Sequence, residues 1–367
     1  MFVGPTQKLG ANKDPKKGGN QMKTKRSFIQ MIVGYMLLSV TIMLLGGWTE
    51  SWAQKPVVLR WALIESTDSL EMVFFRNYLN EVAKKAGGKI QIQAYPNQSL
   101  VKAGRMLESL VQGVCDIAAD WSCYTPGALP LSQVMDLPLT FPSTEAATRL
   151  AEYLHGKYFA NAKEYQNIHL LMFDALDPTI IMSTNKPIRT LQDLKGMELR
   201  AHAGQVAFVK ALGAVPAAMP ITEAYLALNK GICKGIIIPP SDFEAYRLAD
   251  VINYATMVQL TTAMRWFGIN KDVWKSLPED VQKAFEEGIP ATRSASIKSW
   301  DLCAERGWKL FNKKGGEIIT PSLAESDKFE KVCSPVIENW ITEKEAMGLP
   351  ARAIVKDAVD FLKKYKK

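Results

Sequence analysis

Past residue 56 the chain alternates short apolar runs with longer stretches in which apolar residues recur every three or four positions. These are the two periods of strand and amphipathic helix. Runs at 57–64, 90–94 and 115–119 predict strands, and the stretches at 69–86 and 102–112 predict helices ended by Gly87-Gly88 and Gly113. After Pro138-Leu139-Thr140-Phe141-Pro142 the pattern predicts a helix at 144–158 and a strand at 168–173. A second unit opens near Pro178, with a strand at 196–201, helices at 205–212 and 222–229, and a strand at 235–238. From Pro278 the spacing is helical over 279–314, with a break predicted near Gly288-Ile289-Pro290. Such alternation predicts an α/β fold with a largely parallel sheet. No repeat, low-complexity tract or linker separates the two units, so a shared interface crossed more than once is expected.

The amino terminus is of another kind. Lys23, Lys25 and Arg26 precede an uncharged run at 27–49, and Ser51-Trp52-Ala53 sets small residues where a signal peptidase reads. A leader cleaved after Ala53 and export to the periplasm are expected. A retained anchor is the alternative, because the run nears the roughly 20 residues that span a bilayer. Met22 would itself open a normal leader, so it is a candidate start.

Removing the leader changes the charge. It holds seven Lys/Arg against Asp14 and Glu50, so subtracting its +5 from the chain's +8 leaves +3 for residues 54–367. That balance gives no reason to expect nucleic acid as a partner. All five cysteines (Cys115, Cys123, Cys233, Cys303, Cys333) lie beyond the leader, and an odd number outside the cytosol leaves a free thiol or an intermolecular bridge. Cys303 and Cys333 either pair between C-terminal helices or stay buried as small hydrophobes. There is no CxxC, and His155, His169 and His202 stand apart in sequence, so no metal and no cofactor is expected. Nor is there a G-x-S-x-G elbow, an H-E-x-x-H helix or a P-loop, which disfavours an enzyme. Asp116 and Asp120 can be paired on paper, but Asp116 beside a strand reads more simply as a structural acid.

The candidate chemistry centres on L-Q-D-L-K-G-M-E-L-R-A-H-A-G at 191–204. It places Arg200 at the end of a short apolar strand, where a guanidinium facing a cleft can grip a carboxylate through two parallel charge-assisted hydrogen bonds. Trp121, after the third strand, either stacks on a planar or apolar ligand or is a core or surface tryptophan. Asp120 either receives a ligand hydroxyl or ammonium, caps a helix near Tyr124 or lies exposed at the surface. Trp266 and Phe267, where the chain crosses back to the first unit, are candidate pocket walls or hinge packing. Phe243 and Tyr246 are candidates for the interdomain mouth, and Glu223 and Tyr225 for domain packing.

Five segments occur in order: Q-S-L-V-K-A-G-R-M-L-E-S-L-V-Q-G-V-C-D-I (98–117), M-D-L-P-L-T-F-P (135–142), D-L-K-G-M-E-L-R (193–200), L-G-A-V-P-A-A-M-P-I-T-E-A-Y-L-A-L (212–228) and W-K-S-L-P-E-D-V-Q-K-A-F (274–285). Together they resemble the solute-binding subunit of a tripartite ATP-independent periplasmic (TRAP) transporter, the DctP-like family. The resemblance implies a two-domain periplasmic binding protein, type II-like, with an interdomain cleft, hinge strands and a long helix spanning both domains. Domain I is then expected at 54–177 plus about 266–305, domain II at 178–265 plus about 306–359, and a basic tail at 360–367. It also implies capture of a small organic carboxylate by hinge closure and delivery to TRAP membrane permease subunits, with membrane contact only through the permease or an uncleaved leader. A secreted enzyme, or the binding or sensory subunit of another transport system, is the alternative.

In the family the arginine of K-G-x-x-x-R binds the ligand carboxylate, which carries over to Arg200. Two departures bear on the ligand. A second arginine found in many sialate and C4-dicarboxylate members falls here at Ile180. The usual D-G-x-E-N-P reads Lys234-Gly235-Ile236-Ile237-Ile238-Pro239, with lysine for the acid and Ile238 for the asparagine. Polar groups are thus lost from the expected wall, and a monocarboxylate with an apolar tail is expected.

Overall fold

The computed structural model describes residues 31–36, which are helical, and residues 55–365. Apart from 31–36, the leader and its cleavage point lie outside the described residues. No helix among the described residues is long and apolar enough to cross a membrane.

Eleven strands are described from residue 57 onward: β1 (Val57–Ala62), β2 (Ile90–Tyr95), β3 (Ile117–Trp121), β4 (Ile168–Ala175), β5 (Ile180–Ser183), β6 (Glu198–Ala201), β7 (Val215–Ala218), β8 (Gly235–Ile238), β9 (Tyr254–Thr256), β10 (Met264–Asn270) and β11 (Glu317–Ile319). They form two sheets, ordered β2-β1-β3-β10-β4 and β11-β9-β5-β8-β6-β7. Five of the nine neighbouring pairs are parallel, fewer than the largely parallel sheet expected, because one strand in each sheet is reversed. β10 runs antiparallel to β3 and β4, and β5 antiparallel to β8 and β9. These two follow the crossings between the sheets, from β4 to β5 and from β9 to β10.

Each sheet is covered on both faces, which is why its strands read as nearly unbroken apolar runs. In the first sheet Trp61 and Phe267 pack with Phe75 and Phe285 on one side, while Ala62, Ala118 and Trp266 pack with Leu150 and Trp300 on the other. In the second, Ile180, Ile236 and Ile238 meet Phe243 and Phe311, and Ile181, Leu199 and Ile237 meet Phe208 and Phe329. Period-two alternation alone sets these faces.

Helix Glu279–Lys313 is continuous, without the break expected near Gly288-Ile289-Pro290. Gly288 is a packing contact: a Cβ there would fall 2.6 Å from the Tyr78 ring, whose hydroxyl donates to the Phe285 carbonyl at 2.7 Å. The helix spans both cores, burying Phe285 beside the first sheet and Phe311 beside the second. The boundary expected near 306 therefore falls inside it. The last helix, Ala351–Lys363, buries Ile354, Ala358 and Leu362 with Leu150 in the core of the first sheet and runs through residue 360. Where the long helix passes the second sheet, a Cβ on Gly307 would lie 2.0 Å from the Pro240 carbonyl oxygen. Backbone has to move to admit it, so Gly307→Ala is expected to cost about 1–3 kcal/mol in urea unfolding. Unchanged stability would contradict the contact.

Asp177, 7 % exposed on the crossing from β4 to β5, has an oxygen without a hydrogen-bond partner. Burial pushes its carboxyl up to about 7 from an ordinary value of 3.8, against the lowering pull of Ser241. The folded state then holds the extra proton between those values, so this group's stabilisation is full below 3.8 and is lost as pH rises through 7. Asp177→Asn should flatten the dependence, gaining on the parent protein between pH 5 and pH 8 in denaturant titrations. Parallel profiles would contradict it.

Candidate functional site

Arg200 sits on β6, in register with Ala217 of β7 and Ile236 of β8. Leu199 and Ala201 turn into the core, so alternation sends Arg200 to the other face, where it is 2 % exposed. Its Nε donates to the Met219 carbonyl at 3.1 Å, which fixes the stem. Among the described residues that is its one hydrogen bond, and no carboxylate forms an ion pair with it.

The cavity at this guanidinium encloses about 30 Å³. Roughly 10–15 Å³ admits a water, so the space suits about two waters and no organic acid, and a ligand needs the two sheets to part. Trp121 and Tyr124 come from the end of β3, Leu176 from the crossing after β4, and Trp300 from the long helix. Ile237 and Ile238 end β8, and Asp242 and Tyr246 follow. Tyr124 also ties the sheets together, its hydroxyl accepting from the Ile221 N–H at 3.2 Å. Glu65 and Glu71, after β1, add two carboxyls, both raised above their usual range chiefly by burial. Burial raises Asp242 well above its usual range.

Behind Trp121 lies a buried ion pair absent from the sequence reading. Arg265 and Asp174, each 1 % exposed, join through Nε–Oδ1 at 3.0 Å and Nη2–Oδ2 at 2.6 Å. Ser296 Oγ and Trp300 Nε1 also donate to Asp174 Oδ2, at 2.8 and 2.9 Å. The Arg265 guanidinium lies 4.9 Å from the Trp121 ring and 5.1 Å from the Trp300 ring. These contacts hold both indoles in place at the cavity.

Of the residues singled out from sequence, Arg200, Trp121 and Ile238 line this cavity, as does Tyr246. The others do not. Ile180 pairs with Ile238 across β5 and β8 but is wholly buried in the core. Asp120 turns away, accepting from the Trp121 N–H at 2.9 Å and the Gly104 N–H at 3.2 Å. Trp266 and Phe267 occupy the two core faces of the first sheet, Phe267 stacked 4.4 Å from Phe75. Phe243 packs on Trp308 and Phe311. Asp116 is held by Arg60 through two bonds of 2.9 Å, a structural role. All five cysteines are free and buried, Cys303 and Cys333 included. His202, isolated in sequence, meets Cys123 and Asp136 in the fold. Trp300, Glu65 and Glu71 had no local signal, because only tertiary packing brings them to Arg200.

Residues 63–344 match the family model of the bacterial extracellular solute-binding protein, family 7, DctP. The C4-dicarboxylate-binding periplasmic protein DctP of Rhodobacter capsulatus is 28% identical over 227 residues, 61% of this chain and 68% of that protein. A solved TRAP periplasmic solute-binding protein of Desulfovibrio salexigens, in an open complex, is 30% identical with a TM-score of 0.73, covering 84% of this chain and 96% of that one. A TRAP solute-binding protein from an unidentified marine microbe, specific for aromatic acid ligands and bound to metahydroxyphenylacetate, is 25% identical with a TM-score of 0.79, covering 85% of this chain and 100% of that one.

Proposed function

We propose, on the premise that the chain belongs to the DctP family of bacterial extracellular solute-binding proteins, that it captures a monocarboxylate with an apolar tail by hinge closure and delivers it to a TRAP-type ion-coupled permease. Its family binds solutes in the periplasm, and the chain is a binding protein and not an enzyme. The observation that carries the ligand reading is Arg200, a guanidinium 2 % exposed with one hydrogen bond and no ion-pair contact among the described residues. A buried unpaired charge is costly, and a ligand carboxylate completes it.

The tail follows from the remaining walls. Trp121, Trp300, Leu176, Ile237 and Ile238 offer apolar and aromatic surface. A polyhydroxylated acid would leave hydroxyls unpaired against them at roughly 1–3 kcal/mol each. Glu65, Glu71 and Asp242 can each accept from a donor on the tail, such as a phenolic hydroxyl. The aromatic acid bound by the marine relative has this chemistry. The ligand acts through its differential contacts with the open and closed forms. Hinge points fall between β4 and β5, between β9 and β10, and within helix Glu279–Lys313, and the first domain takes in Ala351–Lys363. The leader is removed after Ala53, which sequencing the amino terminus of the exported protein tests.

Protein refolded to strip carried-over ligand is heated with aromatic and aliphatic monocarboxylates, C4-dicarboxylates and sugar acids. A true ligand at about 100 times its Kd adds roughly 2.7 kcal/mol of stability. Monocarboxylates with apolar tails should raise Tm most. A larger shift with sugar acids or dicarboxylates would overturn the tail reading.

A further inference from the structure

At the cavity wall, to which Cys123 and His202 both contribute, three segments distant in sequence bring together a thiol, a carboxyl and an imidazole. Cys123 lies in the turn Ser122–Tyr124 after β3, Asp136 ends the turn Ser132–Asp136, and His202 directly follows β6. Their donor atoms all lie within 4.8 Å of one another. The three are 1 %, 2 % and 6 % exposed. Neither oxygen of Asp136 and neither ring nitrogen of His202 has a hydrogen-bond partner. Gly204 makes room for the carboxylate, since a Cβ there would fall 2.3 Å from Asp136 Oδ2.

We propose that Cys123, Asp136 and His202 form a binding site for a divalent transition metal of borderline softness, with zinc the best match, joining the two sheets at the rim of the ligand cavity. Buried polar groups without partners are rare in native proteins and costly, and four such atoms on two facing side chains call for a common partner. A proton can join one oxygen to one nitrogen, leaving the others unpaired and the thiol unused. A cation draws on all three side chains. Sulfur, nitrogen and oxygen donors suit zinc, three protein ligands being its usual number where a fourth position stays open. Burial raises the Asp136 carboxyl well above its usual range, so binding releases its proton together with the thiol proton to solvent, and the resulting thiolate and carboxylate balance the two charges of the ion. The Arg200 charge is then left for the ligand. Because Cys123 and Asp136 belong to the side of the first sheet and His202 to the second, the metal favours the closed form. This site stands on its own residues and does not depend on which carboxylate is bound.

The test is a cobalt(II) titration of tag-free protein purified in chelator, followed by absorption. One equivalent should bind with a thiolate-to-cobalt charge-transfer band, displaced by zinc. Cys123→Ser should abolish the band, and Cys233→Ser, which removes another buried thiol, should keep it. Zinc at about 100 times its Kd should raise the ratio of folded to unfolded protein about 100-fold in the parent and leave His202→Gln unchanged. No band at one equivalent, or a band that survives Cys123→Ser, overturns the proposal. The parent titration decides it even if a variant fails to fold.

Discussion

Arg200→Ala is expected to reduce carboxylate binding by a hundredfold to several thousandfold in Kd. The substitution leaves the ligand carboxylate in a closed cavity without its counter-charge, at a cost of about 3–5 kcal/mol, with each 1.4 kcal/mol about tenfold in affinity. Folding should be little affected, because the side chain makes one hydrogen bond among the described residues. Arg200→Lys should fall between, keeping the charge but losing the paired geometry. Calorimetric titration with the acid giving the largest thermal shift checks both. A Kd for Arg200→Ala within about threefold of the parent would show that the carboxylate binds elsewhere.

Asp174→Ala is expected to cost about 3–5 kcal/mol of folding stability, measured by urea unfolding. It removes both partners of the Arg265 fork and the acceptor of Ser296 and Trp300. The guanidinium stays buried, with the Glu65 carboxylate 3.9 Å away. The double change Asp174→Leu with Arg265→Met should recover much of the loss, since a well-packed apolar pair often matches a buried ion pair. It should also weaken ligand binding, because Trp121 and Trp300 lose the group that orients them. A single variant within about 1 kcal/mol of the parent would contradict this role.

Six of the eleven described strands, β1 to β4, β6 and β8, were legible because both sheets are covered on two faces, so apolar runs such as 235–238 have no other place to go, whereas β5, β7, β9, β10 and β11 were not legible as strands. Nor was the reversal of β5 and β10 legible. An apolar run carries no sign of direction, and β5 and β10 are turned around by the crossings that join the sheets. The predicted break at Gly288-Ile289-Pro290 treated a tertiary contact as a backbone signal: Gly288 is small for the Tyr78 ring, and helix Glu279–Lys313 carries Pro290 without ending.

At the site, local pattern identified what a strand end determines. Trp121 and Ile238 end their strands at the cavity, and Arg200 is one residue from the end of β6. Trp266 and Phe267 have the same character but lie within β10, where alternation commits both to core. Ile180 is in register with Ile238 yet belongs to the core, so only one of the two isoleucines forms the apolar wall. Glu65, Glu71 and Trp300, like the grouping of Cys123, Asp136 and His202, arise from long-range packing.

The most direct test is a crystal structure of the protein with the monocarboxylate that raises Tm most. Both carboxylate oxygens should lie about 2.7–2.9 Å from guanidinium nitrogens of Arg200, with the tail against Trp121 and Trp300. A ligand whose carboxylate sits away from Arg200, or whose tail faces Glu65 and Glu71 with polar groups while the indoles stay uncovered, would contradict it.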